Sequence, residues 1–296
     1  MAENELTTAA DVNGLMEFYG SEAGEAEERF RSSVSEMKLV PKLKMNKDTL
    51  DTALTLGDTN VSRRQWYFTF VDVFGTRSLW PPEKDKTEWG KRPVCSIGFT
   101  DPNTFRNGSE TASGKWLINE SYPHPYDRGE VKVGDMLSFE CKRCPWNRFE
   151  SRNEWEHKDS SSKAKACNES RAFFVRPMVR GRQLPIANED IFEFAPDPIV
   201  DKFALMNVSM GTNRGAIEEI FLKSAARKIP VPAAVFKMTI KKNDSGGFTF
   251  ASMVIEFAGI VSRDTFVNII KPLSKEVREF AARNSNVVLT DDDIPI

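Results

Sequence analysis

The chain has few of the residues that most catalytic centres use. Its 296 residues include only two histidines, His124 and His157, and only four cysteines. The sequence contains no H-E-x-x-H or H-x-E motif, no phosphate-binding loop of the G-x-x-x-x-G-K-[ST] type and no G-x-S-x-G elbow. These absences predict a protein that is not an enzyme, although they leave carboxylate–magnesium chemistry open.

Long apolar runs are also missing. No stretch of the sequence approaches the roughly 18–20 consecutive apolar residues that span a bilayer. The first residues are acidic and lack the basic and apolar regions of a secretory signal. We therefore expect a cytoplasmic protein, and in that reducing compartment cysteines bind metal more often than they form disulfides.

The charge is nearly balanced in total but unevenly distributed. The chain has 41 basic and 43 acidic residues. Residues 1–29 carry eight acidic side chains and one basic one, whereas residues 142–182 carry eleven basic and five acidic. A basic segment of this kind can bind nucleic acid even when the whole chain is slightly acidic.

Five runs of aromatic and β-branched residues, separated by turn formers, predict strands. They are residues 63–75, 92–100, 113–121, 134–141 and 171–179. Their irregular spacing and long polar connections predict an α+β, mainly β fold that consists of a small barrel with large insertions.

The second half of the chain changes character. Apolar residues at helical spacing predict helices over residues 197–211 and 214–228. Residues 233–259 predict a hairpin, and residues 262–284 predict a last helix that Ser262 caps and Pro272 kinks or breaks. We expect four regions: a mobile acidic arm (1–35), a barrel core with the cysteine loop (36–196), a helical and hairpin elaboration packed on it (197–284) and a flexible acidic tail (285–296).

The four cysteines can form one metal site. They are Cys95, Cys141, Cys144 and Cys167, in the spacing C-x45-C-x2-C-x22-C. A C-x2-C turn places two thiolates at adjacent corners of a tetrahedron around Zn²⁺. A structural zinc is favoured over a catalytic one, because four thiolates leave no open position for water. Three alternatives remain: His157 as the fourth ligand, an iron–sulfur cluster, and a Cys95 that is simply a small buried residue.

Basic and aromatic side chains are interleaved in two segments, residues 62–68 and 141–182. Exposed rings accept a stacked base of any identity, and lysine and arginine neutralise phosphates. Packing in the core is the alternative for each ring. The candidate DNA-binding residues are Arg63, Arg64, Trp66, Tyr67, Lys142, Arg143, Trp146, Arg148, Phe149, Arg152, Trp155, Arg171 and Arg176.

The last six residues are "DDDIPI". This run resembles the acidic C-terminal tip of bacterial single-stranded DNA-binding proteins, whose final phenylalanine is replaced here by isoleucine. The resemblance implies that the tip docks replication, repair and recombination proteins. Electrostatic contacts would come from Asp291, Asp292 and Asp293, and the apolar anchor from Ile294, Pro295 and Ile296.

The cysteine segment is similar to that of larger phage-encoded single-stranded DNA-binding proteins, some of which set a zinc loop into an oligonucleotide-binding (OB) barrel. This similarity implies an OB-fold-like barrel with a zinc-binding insertion, added helices and a C-terminal hairpin plus helix. We therefore expect sequence-nonspecific binding of single-stranded DNA in phage or bacterial replication, recombination or repair, in the cytoplasm of the bacterial host if the protein is phage-encoded. The alternatives are a protein that mimics the host tip to capture host repair enzymes, and a metal-dependent nuclease or recombination enzyme.

Overall fold

The computed structural model describes residues 40–45, 53–57, 61–82, 93–102, 113–117, 136–157, 163–184, 191–245 and 248–284. From Pro41 onward these residues belong to one compact unit. The predicted arm, residues 1–35, lies outside them.

The described residues form twelve strands and four α-helices. The strands are β1 Leu43–Met45, β2 Leu54–Leu56, β3 Val61–Arg63, β4 Gln65–Leu79, β5 Cys95–Thr100, β6 Ser113–Leu117, β7 Met136–Glu140, β8 Asn168–Gln183, β9 Phe192–Pro196, β10 Ala204–Ser209, β11 Ala234–Ser245 and β12 Phe248–Val261. The helices are α1 Ser151–Glu156, α2 Met210–Ala226, α3 Arg263–Thr265 and α4 Lys271–Arg283, with a π-helix Phe266–Ile270 between the last two. Short 3₁₀ helices occupy Cys141–Arg143, Pro145–Asn147 and Val231–Ala233.

Five of the strands close into a barrel. β4 pairs with β8, β8 with β9, β9 with β12 and β12 with β11, and β11 returns to β4. Every pair in this ring is antiparallel except β9 with β12, which runs parallel. Within the ring itself, closure leaves these strands no open edge. The prediction of a mainly β fold around a small barrel is confirmed.

Side chains of β4 alternate between two buried clusters. Tyr67 packs inside the ring with one residue from each of the other four ring strands: Met178, Phe194, Val235 and Val261. The residues on the other face of β4 pack against the separate sheet β1–β3 and helix α2. Trp66, Phe68 and Phe70 of β4 point to the same face, because successive strand residues point to opposite faces, and all three are buried. The Phe70 ring meets those of Phe173 and Phe236 edge-on, at centroid distances of 5.2 and 5.5 Å. Strands β4, β8 and β11 therefore share one aromatic core.

Strands β4 and β8 continue beyond the ring as a two-stranded arm. They pair from Tyr67 and Met178 as far as Ser78 and Asn168, whereas β11 contacts only residues 65–68 of β4. β5, β6 and β7 join the β4 side of this arm, and β10 joins the β8 side. The predicted strands β5 to β7 are therefore present, but they extend the sheet and are not part of the closed ring.

The helix predicted over residues 197–211 is wrong, because residues 197–203 form turns and bends. Ala204–Ser209 is strand β10, and helix α2 begins only at Met210. Residues 203–208 are all buried, so this short apolar run has no polar face that would distinguish a strand from a helix. The edge of β8 beyond the ring favours the strand over the helix, because β10 pairs there with residues 170–175 of β8.

The predicted hairpin and last helix are both present. β11 and β12 pair along their whole lengths, up to Ser245 opposite Phe248. The Ser262 hydroxyl accepts a hydrogen bond from the backbone N–H of Thr265 at 3.0 Å, which is the predicted cap. The helix widens into the π-helix just before Pro272, whose missing N–H and bulky ring interrupt regular helical bonding.

The chain on both sides of residue 196 contributes strands to the barrel. The hairpin 234–261 supplies two of the five barrel strands and so belongs to the core. Helix α4 also packs on the part of the sheet where β4 and β8 extend beyond the ring. There the Phe280 ring lies 6.3 Å from the ring of Phe99 and 5.7 Å from that of Phe174. Residues 197–284 therefore complete the fold that residues 41–196 begin.

Candidate metal centre and nucleic-acid interface

Cys141 and Cys144 lie on one tight turn directly after β7. The turn closes with a hydrogen bond of 3.2 Å from the backbone N–H of Cys144 to the carbonyl of Cys141. The side-chain amide of Asn147 donates to the same carbonyl at 3.0 Å, and its backbone N–H donates to the carbonyl of Cys144 at 3.1 Å. These bonds hold the C-x2-C pair in a defined conformation.

Cys95 and Cys167 reach this turn from two other strands. Cys95 begins β5, opposite Leu79 of β4. Cys167 directly precedes β8, and its backbone N–H donates to the carbonyl of Trp146 at 3.1 Å. All four cysteines line one cavity. The fold therefore brings together the four residues that the sequence spacing grouped.

The thiols lie close enough to affect one another's ionisation. Burial raises the pKa of the Cys95 thiol well above its usual value, and the other three cysteines raise it further. Burial also raises the pKa of Cys144 to about 11 and raises that of Cys167, with Cys141 adding to both shifts. These three groups are neutral thiols at pH 7 unless a cation is bound, since a bound divalent ion favours the thiolate form.

In the described part of the chain, no group of three or more histidine, cysteine or acidic side chains is already arranged to hold a metal ion. The cavity that the four cysteines help to line has a volume of about 10 Å³, which is about the room of one water-sized particle. His157 does not line this cavity; it is exposed at the end of α1, with a left-handed φ of 51°. The geometry therefore favours the four cysteines over a set that includes His157.

A buried arginine forms part of the cavity wall. The Arg77 side chain is 2% exposed. It donates to the Asn147 side-chain oxygen at 3.0 Å and to the Glu169 carboxylate at 3.1 Å. Glu169 also pairs with Arg171 at 2.7 Å. Arg171 is buried in this network, which removes it from the predicted DNA contacts.

The cysteine loop (residues 141–167) folds around two tryptophans. Trp155 on α1 is 8% exposed, and its indole N–H donates to the carbonyl of Trp80 at 2.7 Å. The partly buried Trp146 ring lies 4.7 Å from it. Both pack in a small cluster with Trp116 and Leu79. The prediction that Trp155 stacks on DNA is therefore corrected to a packing role, and Trp146 shares that cluster.

The cysteine loop also holds one large apolar side chain in solvent. Phe149 is 72% exposed, and the Lys165 ammonium lies 5.1 Å from its ring centre. The four predicted basic contacts of the loop are exposed as well: Lys142, Arg143, Arg148 and Arg152. Two of them form surface ion pairs with glutamates of α1. Surface pairs of this kind are weak, so the arginines can exchange them for phosphate.

Two predicted contacts on the barrel are core residues. Trp66 is 1% exposed, and its indole N–H donates to the carbonyl of Leu54 at 3.0 Å. Arg176 is 6% exposed and donates to the carbonyls of Val200 and Lys202. Burial corrects both predictions, since neither side chain has a surface that DNA could contact.

Other barrel residues remain accessible. Arg64 is exposed, and Arg63 and Tyr67 are partly exposed. The guanidinium of Arg180 donates to the Tyr67 hydroxyl at 2.6 Å and lies over the Phe192 ring at 4.3 Å. The sequence analysis missed this group because Phe192 belongs to β9, which it did not predict. The sequence of β9, "FEFAP", alternates apolar and polar residues over its first three positions, and this pattern could have predicted the strand.

The predicted docking tip, residues 291–296, lies outside the described residues. Among the helices of the described part of the chain, none is long and apolar enough to cross a membrane. Comparison with known protein families, with curated proteins and with solved structures found no match to this chain.

Proposed function

We propose that this protein binds single-stranded DNA without sequence preference, in phage or bacterial replication, recombination or repair. The observation that carries the proposal is the exposure of Phe149 beside Lys165, in a loop with four further exposed basic residues. A phenylalanine that is 72% exposed contributes little to packing. Its ring offers a stacking face to any base, and the basic side chains of the same loop are available to phosphates.

The barrel supports the same proposal if it is an OB-fold. Its five ring strands, the single parallel pair β9–β12 and the helix α2 before the fourth ring strand fit that Greek-key barrel. OB-folds bind oligonucleotides on the face of their second and third strands. In this ring those strands are β8 and β9, which carry Arg180, Arg182 and Phe192. A guanidinium stacked over rings is itself a platform for bases.

Titration of fluorescently labelled oligonucleotides tests this function. We expect tighter binding to oligo-dT than to a duplex of equal length. We also expect log K to fall linearly with log salt, by about 0.7 for each neutralised phosphate. Equal, weak binding to both substrates would count against the proposal, as would binding that does not respond to salt.

The tip, residues 291–296, is proposed to dock partner proteins, on the sequence resemblance alone. Deletion of residues 289–296 separates this function from the alternatives. A DNA-coating protein keeps or gains DNA affinity, because a tethered acidic segment competes with the DNA backbone at high effective concentration. A tip mimic has no DNA affinity to begin with. A nuclease would cut the labelled oligonucleotide when Mg²⁺ or Mn²⁺ is added.

A further inference from the structure

We propose that the four cysteines of the cavity bind one Zn²⁺ ion as a tetrathiolate centre, with the buried guanidinium of Arg77 as its counter-charge. This inference does not depend on DNA binding, and its tests involve no DNA.

The ligands come from three separate parts of the fold. Two lie on the turn after β7, one at the start of β5 and one just before β8, and all four line the same cavity. Four thiolates in a tetrahedron are the preferred environment of a structural zinc ion. The cavity volume of about 10 Å³ suits one ion, whereas a cluster of several irons and sulfides needs more room than one water-sized particle.

The charge of such a centre explains why an arginine is buried beside it. Four thiolates and one Zn²⁺ ion carry a net charge of −2, and a buried charge needs a compensating partner. Arg77 is 2% exposed, lines the cavity and keeps its proton at any physiological pH. Glu169 pairs with both Arg77 and Arg171, so this buried network holds two positive charges and one negative charge. Its net positive charge lies beside the thiols and offsets part of the charge of the metal centre.

Hydrogen bonds connect this arginine to the ligand turn. Arg77 donates to the Asn147 side-chain oxygen at 3.0 Å, and the Asn147 amide donates to the Cys141 carbonyl at 3.0 Å. Strand β4 is thereby connected to the turn that holds two of the four ligands. Groups that orient metal ligands in this way commonly change metal affinity 10- to 100-fold when they are removed.

Gly114 on β6 provides space for the Cys95 sulfur. A Cβ atom at position 114 would lie 2.6 Å from that sulfur, which is closer than two such atoms can approach. Any other residue at this position must therefore displace the ligand. A glycine inside a strand is otherwise unfavourable, and close approach of another group is the usual reason for it.

Metal analysis of the full chain, purified without added metal, gives the first test. We expect one zinc per chain, thiols that react with an alkylating reagent only after chelation, and a tetrahedral cobalt–thiolate spectrum when Co²⁺ replaces zinc. Freely reactive thiols with no stoichiometric metal would overturn the proposal. So would iron together with sulfide.

Variants that keep all four cysteines give the second test. Gly114→Ala should weaken zinc binding at least 10-fold, measured by competition with a chromogenic chelator. Gly215→Ala is the matched control, because a Cβ at that helix position has no atom within 4 Å. Equal zinc affinity in the two variants would show that Cys95 is not a ligand.

Arg77 variants test the counter-charge. Arg77→Met should weaken zinc binding 10- to 100-fold, and Arg77→Lys should recover part of that loss because it restores the charge but not the paired hydrogen bonds. If both variants bind zinc as tightly as the wild type, Arg77 has no role in the centre. Circular dichroism of each variant separates this result from misfolding.

Discussion

Replacement of Phe149 by alanine gives the sharpest test of the proposed DNA surface. The ring is 72% exposed, so its removal leaves no cavity. We expect the free energy of unfolding to change by no more than about 0.5 kcal/mol, as for other surface substitutions. Stacking of a base on an aromatic ring is worth about 1–3 kcal/mol. The loss should therefore weaken binding about 5- to 150-fold, since about 1.4 kcal/mol corresponds to a factor of ten.

Fluorescence anisotropy with labelled oligo-dT at one fixed salt concentration measures this effect. Phe221→Ala is the matched control, because Phe221 is also an exposed phenylalanine, 46% accessible, but lies on α2 away from the cysteine loop in sequence. The salt slope should stay the same in both variants, because neither change removes a charge. If Phe149→Ala binds within twofold of the wild type, or if Phe221→Ala weakens binding equally, the loop is not the stacking surface.

Three further predictions concern the metal and the core. Chelation should speed hydrogen exchange and proteolysis within residues 141–167 and lower the melting temperature, because zinc binding contributes directly to folding free energy; unchanged exchange would argue against a metal. Trp66→Ala should destabilise the protein by about 3–5 kcal/mol in urea denaturation, since this buried indole packs between β4 and the sheet β1–β3; a loss below about 1 kcal/mol would contradict its packing role. Ser262→Ala should cost about 1 kcal/mol by the same measurement, through loss of the cap on Thr265; no change would show that other groups satisfy that N–H.

Local patterns in the sequence predicted most of the individual elements. The alternation along β4, the apolar runs of β5 to β8 and the hairpin 234–261 all became strands, because each pattern reflects which face of a strand is buried. The Ser262 cap was equally predictable, since capping involves residues only three positions apart. For these strands and this cap, the interactions that determine the structure involve residues only a few positions apart.

Burial of single side chains was harder to predict. Trp66, Trp155 and Arg176 stand in basic, aromatic stretches that resemble a DNA-binding surface, yet all three are buried. Their partners are carbonyl groups of distant residues, such as Leu54 for Trp66 and Trp80 for Trp155. A sequence window that contains only one partner of such a pair cannot distinguish a core ring from a stacking platform.

The sequence alone was sufficient to group the four cysteines and to name Phe149 as a candidate DNA contact. Cysteine spacing and loop composition are properties of the chain itself and do not depend on its fold. Ring closure, the strand at 204–209 and the arrival of Arg77 and Gly114 beside the thiols depend on which strand edges meet. Pairing between β4, β5, β6 and β8 joins residues far apart along the chain. The packing of whole sheets determines which of these strands pair, and no local sequence pattern predicts it.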